Sequence, residues 1–244
     1  MRTPLCGRNF EYLTEDPALG AALVVEYIKG VQSHDAAACV KHFAANSQEL
    51  NRFGVVATID ERTLHEIYLP IFRAAVKDAG VLAVMNAYNQ IAVPGVFDAK
   101  FCSHNPYLDR DVLRKAWSFK GLVVTDWGSL HDTVAGVLGG TDIEMNAGND
   151  IRLFKPEPLQ KAIKEGKITE ANIDEMALHT LYVMAKVGFF DGRKREAGCI
   201  NTKEHQALAR RVAEAGIVLL KNDTGVLPLD PNGVKNVVVM GKGA

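Results

Sequence analysis

The feature that most constrains this sequence is an alternation. Stretches with helical apolar spacing are followed by short, unbroken apolar runs that stop on polar residues. Leu23, Val24, Tyr27, Ile28 and Val31 have helical spacing and follow the helix-start pair Asp16-Pro17. The run Ala36-Ala37-Ala38-Cys39-Val40 then closes on Lys41-His42. Thr58-Ile59-Asp60-Glu61 fits a capping box. Beyond it lies an apolar face of Leu64, Ile67, Ile71, Phe72 and Ala75, which Pro70 is expected to kink or divide. Val81-Leu82-Ala83-Val84-Met85 closes on Asn86-Ala87-Tyr88-Asn89. In a third cycle, Leu108, Val112, Leu113, Ala116 and Trp117 form the helical face, and Gly121-Leu122-Val123-Val124-Thr125 closes on Asp126-Trp127-Gly128. A further helix through roughly 130–139 leads to Thr141-Asp142-Ile143-Glu144-Met145.

Unbroken apolar strands separated by helices predict a parallel sheet covered on both faces, so the fold class is α/β. Its two common layouts, the (β/α)8 TIM-type barrel and the doubly wound sheet, both build ligand sites at the C-terminal ends of strands. No Gly-x-Gly-x-x-Gly follows any of these strands, which argues against a dinucleotide site and favours the barrel. Only about four clear strands are visible where the barrel needs eight, so a barrel built from this chain alone is partial. The last segment differs. Helical residues around 204–215 run into Gly216-Ile217-Val218-Leu219-Leu220-Lys221-Asn222, and Val237-Val238-Val239-Met240 reads as a new buried strand. A second domain is expected to begin there.

Composition narrows the functions. Among 244 residues, 48% are hydrophobic and 23% charged, as in an ordinary globular protein. A formal net charge of −1 gives no electrostatic match to nucleic acid or to an anionic membrane, so neither is an expected partner. No stretch approaches the roughly 20 apolar residues of a membrane span, and Met-Arg-Thr-Pro-Leu-Cys-Gly-Arg lacks the apolar core of a signal peptide. Cys6, Cys39, Cys102 and Cys199 lie far apart, with no Cys-x-x-Cys or Cys/His cluster, so neither a zinc site nor a disulfide framework is expected. No metal and no cofactor is expected. Small neutral ligands remain open.

Asp126 closes a strand and is followed by an indole. A carboxylate in a barrel mouth could attack an anomeric carbon, with Trp127 as a platform for a sugar ring. It could equally cap the helix that follows, since Asp is a favoured N-cap. Lys41-His42, at another strand end, suits vicinal hydroxyls or a pairing with neighbouring carboxylates. Arg8 and Arg52 are planar multi-donors for which a surface ion pair is the default. Tyr88 can satisfy its hydroxyl with or without substrate. Glu144, between Ile143 and Met145, is as well suited to a structural role as to the site.

Six segments carry a resemblance. Gly7-Arg8-Asn9-Phe10-Glu11-Tyr12-Leu13-Thr14-Glu15-Asp16-Pro17 is one, and Lys41-His42-Phe43-Ala44-Ala45-Asn46 with Gln48-Glu49 and Asn51-Arg52 is another. The others are Asp60-Glu61-Arg62-Thr63-Leu64, Met85-Asn86-Ala87-Tyr88-Asn89, Gly121-Leu122-Val123-Val124-Thr125-Asp126-Trp127-Gly128, and Gly216-Ile217-Val218-Leu219-Leu220-Lys221-Asn222. In content and order they resemble glycoside hydrolase family 3.

The resemblance implies that residues 1–195 are the later part of a (β/α)8 barrel, 196–233 a linker and 234–244 the start of an α/β sandwich domain. It implies an exo-acting retaining β-glycosidase, most of all a β-glucosidase, with a β-xyloside as the alternative substrate. Asp126 would be the nucleophile. Arg8, Lys41, His42, Arg52 and Tyr88 would contact the sugar, and Met85 and Trp127 would form apolar walls. Lys41 or a nearby Arg would keep Asp126 ionised. The partner is a small-molecule or oligosaccharide β-glycoside. Phe43-Ala44-Ala45-Asn46 departs from the Lys-His-Phe-Pro-Gly-His of the N-acetylglucosaminidase branch. In the family, an Asp that holds sugar hydroxyls lies before Gly7 and the acid/base Glu lies in the second domain. Residues 1–244 alone are therefore expected to turn over substrate poorly. A non-catalytic sugar-binding remnant is the competing reading.

Overall fold

The computed structural model describes residues 3–146, 152–194 and 197–243. They fall into two compact units, Met1–Arg193 and Lys194–Ala244. In the first, helix α1 (Pro17–Gln32) begins where the Asp16 carboxylate accepts the amides of Ala18 and Leu19, with Pro17 at the first helical position. Strand β1 (Cys39–Phe43) runs three residues beyond the expected apolar run, so Lys41 and His42 lie within it. Strand β2 (Val56–Thr58) precedes the short helix α2 (Glu61–Thr63). The capping box expected on Thr58 does not form. Thr58 is paired in the strand with Ala92, and Asp60 caps instead, accepting the Thr63 amide at 2.9 Å. The helix then widens over Leu64–Tyr68, and Pro70 opens α3 (Pro70–Lys77), the division that the proline predicts.

Strands β3 (Ala83–Asn86), β4 (Gln90–Val93) and β5 (Phe97–Phe101) follow, then the wide-turned helix Tyr107–Ala116 and strand β6 (Leu122–Val124). Helices α4 (Thr133–Gly139), α5 (Pro156–Lys164) and α6 (Glu170–Lys186) complete the first unit. β1, β3 and β6 form a parallel sheet in that order, pairing Cys39 with Ala83 and Ala83 with Leu122. The expected strand at 141–145 is reduced to one parallel bridge, Val124 to Ile143. Around that bridge the Asp142 and Ile143 amides reach the Val123 carbonyl and the Thr125 amide reaches the Ile143 carbonyl, while the Asp142 carboxylate takes the Val123 amide at 2.7 Å, together with Arg114 and His179.

One core cluster runs through the sheet. Val24 and Ile28 of α1, Phe72 of α3, and Leu108 and Leu113 pack around Phe43, Val84 and Val123, all three of which are fully buried. β3 and β6, covered on both faces, read as continuous apolar runs for that reason, whereas β1 leaves Cys39 and Lys41 exposed. Each such side chain contributes about 1.5–3 kcal/mol by leaving water. A second, three-stranded sheet orders β2, β4 and β5, with a β4–β5 hairpin closed over Pro94-Gly95 by the Val96 amide on the Val93 carbonyl. This hairpin was not expected from the sequence.

The second unit, taken by itself, contains α7 (Lys203–Gly216), capped by the Thr202 hydroxyl on the His205 amide. The strand expected at 237–240 does not form there. A strand needs a partner to satisfy its amides and carbonyls, and no described residue of this unit supplies one. Among the described residues, no helix is long and apolar enough to cross a membrane.

Gly121 brings β6 against the end of β3. A methyl group built there would overlap the Leu82 carbonyl oxygen, which is backbone and cannot step aside. Gly121→Ala is expected to cost about 1–3 kcal/mol in chemical unfolding; a change below about 0.5 kcal/mol would contradict this packing.

Candidate active site

The C-terminal ends of β1, β3 and β6 bring the reactive residues together. Between Lys41 (opposite Met85) and Phe43 (opposite Asn86) the register slips, leaving His42 as the extra residue of a bulge. Bulges re-aim side chains, and His42 is buried, with Nε2 3.1 Å from Asp126 Oδ2. The Lys41–His42 and Phe43–Ala44 peptide bonds are cis.

Asp126 lies two residues beyond β6. Its Oδ1 accepts the Trp127 amide at 2.7 Å, and its own carbonyl accepts the Ser129 amide. Gly128 completes that turn at φ 70°, a conformation that glycine adopts without strain. The following helix, α4, is capped by Asp132 through the Ala135 amide, so the helix-cap alternative for Asp126 falls away. Burial acts most strongly on the Asp126 carboxyl and pushes its pKa up. The hydrogen bonds from His42, the Trp127 amide and the Tyr88 hydroxyl, together with the charge interaction with His42, outweigh it and hold the group below its ordinary value. Tyr88 is raised to about 12, first by burial and then by Asp126, so it stays a donor.

The expectation that Lys41 or an arginine keeps Asp126 ionised holds only in a minor way, since Arg8 and Asp126 attract each other but the leading donors are His42, Trp127 and Tyr88. The Lys41 ammonium is 3.5 Å from Glu11 Oε2. Arg8 grips the same carboxylate with two bonds, Nε to Oε1 at 2.7 Å and Nη2 to Oε2 at 2.6 Å. Burial raises Glu11 most, but Arg8, Lys41 and His42 together bring it below its ordinary value. Arg52 donates to Glu49 at 2.7 Å and lies 4.1 Å from the Tyr88 ring centroid, with Phe53 edge-on to Tyr88 at 4.7 Å. Fork geometry suits an arginine to hold a carboxylate and stack on a ring at once.

The nine sequence-derived residues sort as follows. Arg8, Lys41, His42, Arg52, Tyr88 and Asp126 belong to one connected set of contacts. Met85 is half-buried on β3 between Lys41 and Val124. Trp127 follows Asp126 with its side chain 56% exposed, open to a ligand face. Glu144 accepts the amides of Leu153 and Phe154 and serves structure rather than this cluster. Three residues went unassigned in the sequence: Glu11, Glu49 and Tyr12, whose hydroxyl is 3.0 Å from His42 Nδ1. The spacing Arg8/Glu11 and Glu49/Arg52, three residues apart in both cases, was the available signal. Among the described residues no group of three His, Cys, Asp or Glu could hold a metal ion.

The arrangement supplies an ionised, well-oriented carboxylate beside three cationic side chains and an exposed indole. Glu11 and Asp126 bind protons less readily in the folded state than in the unfolded one. The stability they add is therefore full above the ordinary carboxylate range and is lost as pH falls through it toward the folded values. Glu11→Gln is expected to flatten the fall in urea midpoint between about pH 5 and pH 3. An unchanged slope would contradict the pairing.

The family described as "Glycosyl hydrolase family 3 N terminal domain" matches residues 1–183. The chain is 43% identical over 232 residues to thermostable beta-glucosidase B of Acetivibrio thermocellus, covering 95% of this chain and 29% of that protein. It is 37% identical to an exo-alpha-(1->6)-L-arabinopyranosidase of Bifidobacterium breve, covering 98% of this chain and 30% of that protein. Among solved structures, beta-glucosidase 3B from Thermotoga neapolitana in complex with glucose superposes with a TM-score of 0.85 at 39% identity, over 94% of this chain and 32% of that one. The chain spans between 26 and 34% of the length of the first four curated relatives.

Proposed function

Because the chain belongs to glycosyl hydrolase family 3, we propose that it carries the nucleophile and most of the sugar-contacting side chains of an exo-acting retaining β-glycosidase, foremost a β-glucosidase. The observation that carries this reading is the buried Asp126 carboxylate, held ionised by three hydrogen-bond donors: the His42 ring, the Trp127 amide and the Tyr88 hydroxyl. The beta-glucosidases among its relatives support the substrate class.

The chemistry is a double displacement. Asp126 attacks the anomeric carbon, the C–O bond to the aglycone breaks, and a protonated Glu delivers its proton to the leaving oxygen. The resulting glycosyl ester is then hydrolysed by water, with that Glu as base, restoring the β configuration. No residue of the present cluster is assigned as acid/base; the family resemblance places it in the second domain. Arg8, Lys41 and Arg52 donate to the sugar hydroxyls, His42 and Tyr88 contact the sugar while their protons bond to Asp126, and Met85 and Trp127 wall the ring. Because Arg8 and Lys41 are already held by Glu11, and Arg52 by Glu49, few rotamers are lost when sugar binds.

The parallel sheet, with its reactive residues at the C-terminal ends, supports a partial (β/α)8 barrel over residues 1–195. Residues 196–233 would be a linker and 234–244 the start of an α/β sandwich. The arabinopyranosidase relative favours a second reading for the substrate, a pentopyranoside such as a β-xyloside, whose ring lacks the exocyclic arm of glucose.

Incubating the protein that carries this chain with a 2-deoxy-2-fluoro-β-glucoside is expected to leave a covalent adduct on the peptide containing Asp126, seen by mass spectrometry. A folded protein that binds glucose yet forms no adduct there would instead be the non-catalytic sugar binder.

A further inference from the structure

His42 is buried between three polar partners, and a neutral imidazole has one N–H and one lone pair. Nε2 faces the Asp126 carboxylate at 3.1 Å, where only an N–H is favourable. In the neutral ring Nδ1 is then the acceptor, and the Tyr12 hydroxyl lies 3.0 Å from it. Glu11 Oε1 is further, at 3.8 Å, and Glu11 is already engaged by Arg8 and Lys41. Burial first, and then the Glu11 charge, push the Tyr12 pKa up, so its hydroxyl keeps its proton. Tyr88, on the far side, bonds to Asp126 and leaves Nδ1 untouched.

Building on the nucleophile reading of Asp126, we propose that Tyr12 is a positioning residue for catalysis: by donating to Nδ1 it fixes His42 in the tautomer whose Nε2–H donates to Asp126. The consequence is electrostatic. A neutral donor orients the carboxylate while leaving its charge available for attack, whereas an imidazolium would pair with that charge and weaken it as a nucleophile. Without the Tyr12 hydroxyl, Nδ1 faces the Glu11 carboxylate with no donor. Proton uptake then places a cation between Glu11 and Asp126. Tyr12 and Glu11 thus compete for one nitrogen.

The test follows the rate of 2-deoxy-2-fluoroglucosyl trapping against pH in the protein that carries this chain, comparing the parent with Tyr12→Phe, which keeps the ring and removes the hydroxyl. Tyr12→Phe is expected to trap at the same Asp126 peptide, about tenfold more slowly near pH 6, with the deficit shrinking toward pH 9. In a His42→Gln background, where the amide donates without tautomers, the same change is expected to alter the rate less than about twofold. A uniform loss across pH, an unchanged profile, or an equal loss in the His42→Gln background would overturn the positioning role. Thermal unfolding checks that Tyr12→Phe is folded. Should it be unfolded, 3-fluorotyrosine at position 12 serves in its place. A stronger hydroxyl donor there is expected to leave the rate at pH 6 within about twofold of the parent, and a pH profile like the one expected of the phenylalanine variant would overturn the role. Absence of any adduct at Asp126 in the parent protein would instead remove the nucleophile reading itself.

Discussion

The parallel ladder that aligns Cys39 with Ala83 and Ala83 with Leu122 is the constraint on which everything else rests. Strands in parallel register end on the same edge, and any side chain just beyond that edge is gathered without a dedicated loop. Lys41, Met85 and Asp126 come from three strands more than forty residues apart and still meet there. The ladder also makes one deviation useful. Because β1 has one residue too many between Lys41 and Phe43, His42 is turned toward the carboxylate of a strand that is not its neighbour.

Charges in the cluster are distributed so that the central carboxylate is not the one that is paired with cations. Glu11 takes Arg8 and Lys41, Glu49 takes Arg52, and Asp126 is left with the His42 ring, the Trp127 amide and the Tyr88 hydroxyl. Pairing with an arginine would lower the pKa of Asp126 further, but it would also stabilise the charge that has to be spent in bond formation. Neutral hydrogen bonds keep the group ionised while binding its charge less tightly. The cations remain oriented beside it for hydroxyl groups. In the same chain, Asp142 shows the opposite arrangement. It holds Arg114, His179 and the Val123 amide, and fastens α6 to the sheet in a structural role.

Sequence legibility followed the physics of each element. Runs around 81–85 and 121–125 were readable because strands buried on both faces must be apolar throughout. Asp126 was readable as a strand-end carboxylate but ambiguous with a helix cap, an ambiguity that ended once Asp132 was found in the capping role. Non-local pairing was not readable. The preference of Lys41 for Glu11 over Asp126 depends on how a segment thirty residues upstream folds back, which leaves no periodic trace. The β4–β5 hairpin was passed over although Pro94-Gly95 marks its turn. Val237-Val238-Val239-Met240 has the composition of a strand but no partner among the described residues of its unit, and composition alone cannot supply one. Asp60 outcompeted Thr58 as a cap because Thr58 is committed to β2.

The central claim is that Asp126 forms the bond to the sugar. The most direct measurement is chemical rescue. In the protein that carries this chain, Asp126→Gly opens the space of the carboxylate, and azide supplied with an activated aryl β-glucoside can take its place on the α face. The account predicts slow hydrolysis without azide and rescue by azide, with α-glucosyl azide as the product identified by NMR. Formation of β-glucosyl azide, or full hydrolytic activity without azide, would contradict it.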